Sequence, residues 1–373
     1  MFSDVPESPT AANLADIFIE AGANLNAIDF SQCGEALKFI MEPNPEEEYA
    51  EFFDVSPMVH LIVSHIIELN WIWLPARPRW SYFKDDRILL IEMRSCMHEA
   101  PLMHLESIFC HFLRGFVHNP VLTTTTMSSR LTSTDTIPDI AIAIAVPNTD
   151  YNWIRKPLVI VECAFAQDTD SVLRKIKHEI AGQPEVLMVI LVVIDEHQPY
   201  RSPERMSEAW QMLSQEASCR SDSSFASLKG DAARSYNHRV VIAGHTWCHL
   251  GSVRFHVWVR GNEPINIDDD DELHACGTLL PNRDMDAVDT MIENGMVMMR
   301  DSIAIVCQEV ALGRDVTALQ DTVVAALQDT VIAALQDTVV SFSPDWDLLL
   351  MKLNFAVAEA AYHRYHSWYK SSP

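Results

Sequence analysis

Glu162 sits inside the apolar run Leu158-Val-Ile-Val-Glu-Cys-Ala-Phe-Ala166. A carboxylate in such a run is costly to bury unless it is paired, protonated or metal-bound. A second acid, Asp139, opens the preceding alternation Ile137-Pro-Asp-Ile-Ala-Ile-Ala-Ile-Ala145. If the two segments form a hairpin, the acids converge. Two carboxylates meeting on a sheet suit a hard divalent cation such as Mg²⁺ or Mn²⁺. One ion bridges them only if they lie within about 8 Å of each other, given its short oxygen distances.

The elements that must position this pair are legible around it. Leu102–Phe116 carries a helical apolar stripe, with Glu106 beside it. Val121–Leu131, Ile137–Val146 and Pro157–Gln167 read as extended. Asp170 caps a helix over Ser171–Ala181, which Gly182 stops. Val186–Asp195 is short, β-branched and apolar, as a buried strand should be. The order is α-β-β-β-α-β. A helix over Ser202–Ser218, a loop at Ser221–Gly230 and strands at Arg239–His245 and Ser252–Val259 follow. Before this core, Thr10–Gly22 and Met58–Trp73 read as helices, Pro43–Glu51 as an acidic turn, and Pro75 and Pro78 as a break.

Pro138-Asp139, followed 23 residues later by Glu162-Cys163-Ala164, resembles the PD-(D/E)XK nuclease superfamily over about Leu102–Asp195. The resemblance implies a restriction-endonuclease-like α/β fold: a mixed sheet flanked by helices, extended here by helical N- and C-terminal regions. It implies Asp139 and Glu162 as ligands of Mg²⁺ or Mn²⁺, Glu106 as a possible helix ligand, and phosphodiester hydrolysis on nucleic acid. The departure is Ala164, which stands where that family has a lysine that assists the attacking water. Some members supply the lysine from the next helix. There the apolar stripe is Val172, Leu173, Ile176 and Ile180, and Lys177 lies about 85° from its centre against about 115° for Lys175. Lys177 is therefore the expected substitute, or Gln167 if the strand ends near Ala166. The alternative is a non-catalytic module that keeps the fold to bind protein or nucleic acid.

The chain has 373 residues, 48% hydrophobic and 21% charged, enough to bury a core and too apolar for a disordered chain. The net charge of −25 argues against a general nucleic-acid coat or an anionic-membrane binder. It is uneven: −11 over residues 1–60, −1 over 61–262 and −13 over 263–373. Three regions are expected: an acidic arm over 1–75, the α/β core over 76–262, and an acidic, mainly helical region over 263–373. Any nucleic-acid footprint would fall to Arg77, Arg79, Lys84, Arg87 and Arg94, and to Arg155, Lys156, Arg174, Lys175 and Lys177. The eight cysteines form no CxxC pair, and no leader or membrane-length apolar run is seen, so an intracellular protein, cytoplasmic or nuclear, is expected.

No G-x-S-x-G, P-loop or G-x-G-x-x-G appears, which disfavours serine hydrolase, P-loop and dinucleotide-binding readings. His98, His104, His111 and His118 read as solvent-face or satisfied core histidines. His245-Thr-Trp-Cys-His249 lacks a second pair at zinc-finger spacing, and Cys163 falls on the face opposite Glu162. Asp268–Glu272 reads as a solvated loop. The eight-residue repeat over 318–341 rotates about 80° per copy on a helix, so it keeps no constant face.

Overall fold

The computed structural model describes residues 30–42, 48–70, 78–114, 122–127, 136–147, 153–165, 169–215, 218–229, 239–312, 340 and 342–371. The expected helix over Thr10–Gly22, Gln167 and the eight-residue repeat, Val340 apart, lie outside them. The chain forms two compact units, residues 1–43 with 49–93 and residues 44–48 with 94–373. The boundary therefore falls at Met93 rather than at residue 75, because residues 78–93 pair with the N-terminal segment.

In the first unit, helices α1 (Phe30–Met41) and α2 (Pro57–Asn70) accompany a three-stranded antiparallel sheet, ordered β1 (Tyr49–Phe52), β3 (Ile88–Met93), β2 (Pro78–Phe83). Tyr82 donates its hydroxyl to Val55 O at 2.8 Å. Its ring stacks on buried His60, the centroids 4.3 Å apart.

The second unit is a mixed α/β body. Its seven-stranded sheet runs β10 (His274–Leu280), β9 (His245–Val259), β7 (Met188–Glu196), β6 (Trp153–Phe165), β5 (Ile140–Pro147), β4 (Leu122–Met127), and β8 (Arg239–Ile242) pairs with β9. All pairs are antiparallel except β6 with β7, which are joined by helix α4 (Thr169–Gly182). A parallel pair needs such a crossover. The central strands are apolar on both faces because helices cover both. Val159, Val161, Cys163 and Phe165 share a core with α3 (Cys96–Arg114), α7 (Asp286–Leu312) and α8 (Trp346–Ser371). Ile160 and Ala164 point the other way, onto Val172, Ile176 and Ile180 of α4.

The described part of residues 263–373 belongs to the second unit. Strand β10 extends the sheet, and α7 and α8 pack on it.

Two local expectations change. Among the described residues of 202–218 the one helix is short, α5 (Glu208–Leu213), capped by Ser207, and those of 221–230 contain α6 (Asp222–Ser227), capped by Ser221. Arg239–Val259 is one hairpin turning at Ala243 and Gly244, whose φ values of 51° and 71° suit a two-residue type I′ turn. Residues 246–251, between the two expected strands, belong to β9, and a Cβ on Gly251 would lie 2.7 Å from the backbone N of His197, so only glycine admits the close approach.

Candidate active site

The β5–β6 hairpin brings the two acids together as its register requires. Ile140 pairs with Val161, so Asp139, one residue before β5, faces Glu162. The contacts are reciprocal. The Asp139 amide donates to Glu162 Oε1 at 3.2 Å, and the Cys163 amide donates to Asp139 Oδ2 at 2.6 Å. A carboxylate lies within about 4 Å of its own amide by covalent geometry, so the two carboxylates are within about 7 Å of each other. Both side chains are fully buried.

Helix α4 supplies the cation, but from Lys175. Its Nζ lies 2.8 Å from Glu162 Oε2, and both side chains are 0% exposed. Lys177 is corrected to the solvent side: half exposed, it pairs with Asp268 at 2.8 Å. The reason lies in the helix face. Ser171, Lys175 and Glu179 are buried alongside Val172, Ile176 and Ile180, while Leu173 is only half buried. This moves the buried centre about 65° from the apolar stripe and leaves Lys175 about 50° from it, Lys177 about 150°.

Helix α3 contributes His98, not Glu106. His98 Nε2 lies 3.1 Å from Asp139 Oδ2, and its Nδ1 lies 3.5 Å from Glu99, which Arg94 meets at 3.4 Å. Glu106 is half buried and eight residues on, about 12 Å along the helix axis. Among the described residues no three His, Cys, Asp or Glu side chains are grouped to hold a metal. The two carboxylates are nevertheless the donor type that Mg²⁺ or Mn²⁺ accepts. Cys163 faces the opposite core, a small buried apolar residue.

Of the residues expected to form a basic footprint, Arg79 and Lys175 are buried and Arg94 lies 3.4 Å from Glu99.

A second polar centre was not anticipated. Arg364, on α8, donates to both oxygens of Glu196 at 2.6 and 2.9 Å and to Trp247 O at 3.2 Å. Its guanidinium lies 4.7 Å from the Tyr200 ring centroid. A cavity of about 430 Å³ at this end of β7 is lined in part by Glu196, Tyr200, His245, Trp247 and Arg364. Glu48 lies 3.9 Å from Arg364. Burial pushes the Glu48 carboxyl up to about 7, with Arg364 partly offsetting it. The folded chain therefore keeps this proton between pH 4.5 and about 7, where the unfolded chain has lost it. Stability from Glu48 is full below pH 4.5 and falls by up to about 3 kcal/mol as pH rises through 7. Chemical denaturation across pH 4–8 should show that slope in the wild type, and Glu48→Gln should flatten it.

No family model, curated protein or solved structure matches this chain. Among the described residues no helix is long and apolar enough to cross a membrane.

Proposed function

We propose that the chain is a restriction-endonuclease-like, Mg²⁺- or Mn²⁺-dependent phosphodiesterase of the PD-(D/E)XK type whose lysine has moved from the strand to the crossover helix. The observation that carries this reading is the Lys175–Glu162 contact of 2.8 Å, beneath a hairpin that joins Glu162 to Asp139. Lys175 would take the part that a lysine at position 164 plays in that family. Asp139 and Glu162 would hold the ion. The ion supplies Lewis-acid polarisation of a phosphodiester and a more acidic water. Lys175 then orients and neutralises charge at Glu162, and His98 holds or passes a proton at Asp139 Oδ2.

The test is cleavage of single- and double-stranded DNA and RNA with Mn²⁺, wild type beside Asp139→Ala. Wild-type cleavage that the substitution abolishes supports the reading. Equal cleavage by both places any site elsewhere. The complete burial of Asp139, Glu162 and Lys175 favours a second reading, a non-catalytic module in which these groups form a closed structural set. Failure of both proteins to cleave any substrate favours that module.

A further inference from the structure

The hairpin β9–β10 aligns a chain of proton-carrying groups that the proposed nuclease does not use. Cys276 Sγ lies 3.9 Å from His256 Nε2, His256 Nδ1 lies 3.4 Å from His274 Nε2, and His274 Nδ1 lies 3.1 Å from Asp270 Oδ1. Cross-strand register sets this spacing: Cys276 pairs with His256 and His274 with Trp258. Trp258 fixes the ring planes, since its ring and the two imidazoles lie within 3–15° of parallel. The same transverse row continues through Leu191 to Glu162, which stands two strands away, about 10 Å off.

The hydrogen positions follow from one constraint. The Asp270 carboxylate only accepts, so His274 Nδ1 carries a hydrogen. In neutral His274 the Nε2 is then an acceptor, so His256 Nδ1 must donate. His256 Nε2 is left with its lone pair toward the Cys276 thiol. Each imidazole spends its two nitrogens on different neighbours, so no three donors share one point, as a metal would need.

We propose that Cys276 is a nucleophilic thiol that undergoes exchange with small disulfides, its proton leaving through His256 to His274. The S–H proton passes to His256 Nε2 as the Nδ1 hydrogen passes to His274 Nε2. The positive charge then rests on His274 beside exposed Asp270. The Cys276 sulfur attacks one sulfur of the disulfide, a new S–S bond forms, the old one breaks, and the departing thiolate takes the proton from the relay. No net oxidant is consumed.

The environment explains why two histidines are needed. Burial, His274 and Arg254 push His256 down to about 4, too weak a base to hold the charge itself. Burial also pushes the Cys276 thiol up, Arg254 pulls it down and Asp270 raises it. Arg254 is itself paired with Asp195 at 3.0 Å, so its pull is partly spent.

The experiment incubates the full chain with oxidised glutathione at pH 5–9 and maps the mixed disulfide on Cys276 by mass spectrometry. Half-buried Cys219 is the internal reference. In wild type the Cys276 rate should rise at lower pH than the Cys219 rate, because the relay takes the thiol proton. His256→Gln and His274→Gln should each slow Cys276 about tenfold at pH 7, leave Cys219 unchanged and move the Cys276 rise to higher pH. A wild-type Cys276 profile that rises no lower in pH than that of Cys219, or rates within about twofold in both variants, makes Cys276 an ordinary exposed thiol and overturns the proposal. Protection of Cys276 by one equivalent of Zn²⁺ that requires both histidines overturns it in favour of a metal site. Circular dichroism checks the variants' folding, and if either misfolds the wild-type profile decides alone.

Discussion

Lys175→Met should destabilise the second unit by about 3–5 kcal/mol, because it leaves the Glu162 carboxylate buried and uncompensated. For a unit of this size that lowers Tm by about 10 °C. Under the proposed function it should also cut Mn²⁺-dependent cleavage at least about 100-fold. The two effects separate in the double variant Lys175→Met/Glu162→Gln. Removing both charges restores much of the stability, since an apolar or neutral replacement of a buried pair is close to neutral, but restores no cleavage. Lys177→Met provides the control: its partner is exposed Asp268, and the change should move stability by no more than about 0.5 kcal/mol. Differential scanning fluorimetry reads the Tm. A Lys175→Met protein that melts with the wild type would show that the buried pair does not form.

Arg364→Met is expected to be as damaging. It removes the two bonds to Glu196, the bond to Trp247 O and the face-on contact with Tyr200, and it strands Glu196, whose side chain is 9% exposed. The cost is again about 3–5 kcal/mol, read by chemical denaturation. Under the proposed function, cleavage measured where the protein stays folded should be unchanged, because Glu196 lies beyond the last register pair that β7 makes with β6. Glu196→Gln in the Arg364→Met background should recover part of the loss. No recovery would mean that packing on Tyr200, not charge, holds this end of α8.

The acid pair was legible because an apolar run tolerates a carboxylate only for a reason, and because two adjacent extended segments imply a register. The lysine was not, because a hydrophobic stripe treats every polar residue on a helix as outward. On α4 the polar line Ser171, Lys175 and Glu179 is as buried as the apolar one beside it. Weighing Glu162 as a buried group in need of a cation would have turned the helix by those 65°. His98 was read as an ordinary histidine because nothing in its neighbours reveals that the first turn of α3 meets Asp139. Arg364 was invisible for a different reason: its partner is 168 residues away. By sequence alone one strand ends at His245 and the next starts at Ser252, whereas Gly251 lies inside β9 at a close backbone approach.

The separations along the chain also order the assembly of these centres. Asp139 and Glu162 are 23 residues apart and Lys175 is 13 beyond Glu162, so one hairpin and one crossover close the whole set. Closing short loops costs little chain entropy and happens early. The Arg364–Glu196 clamp must wait until the C-terminal helix has been synthesised and has docked. A nascent chain therefore holds its buried acid–lysine cluster before the clamp that locks the far end of β7 exists.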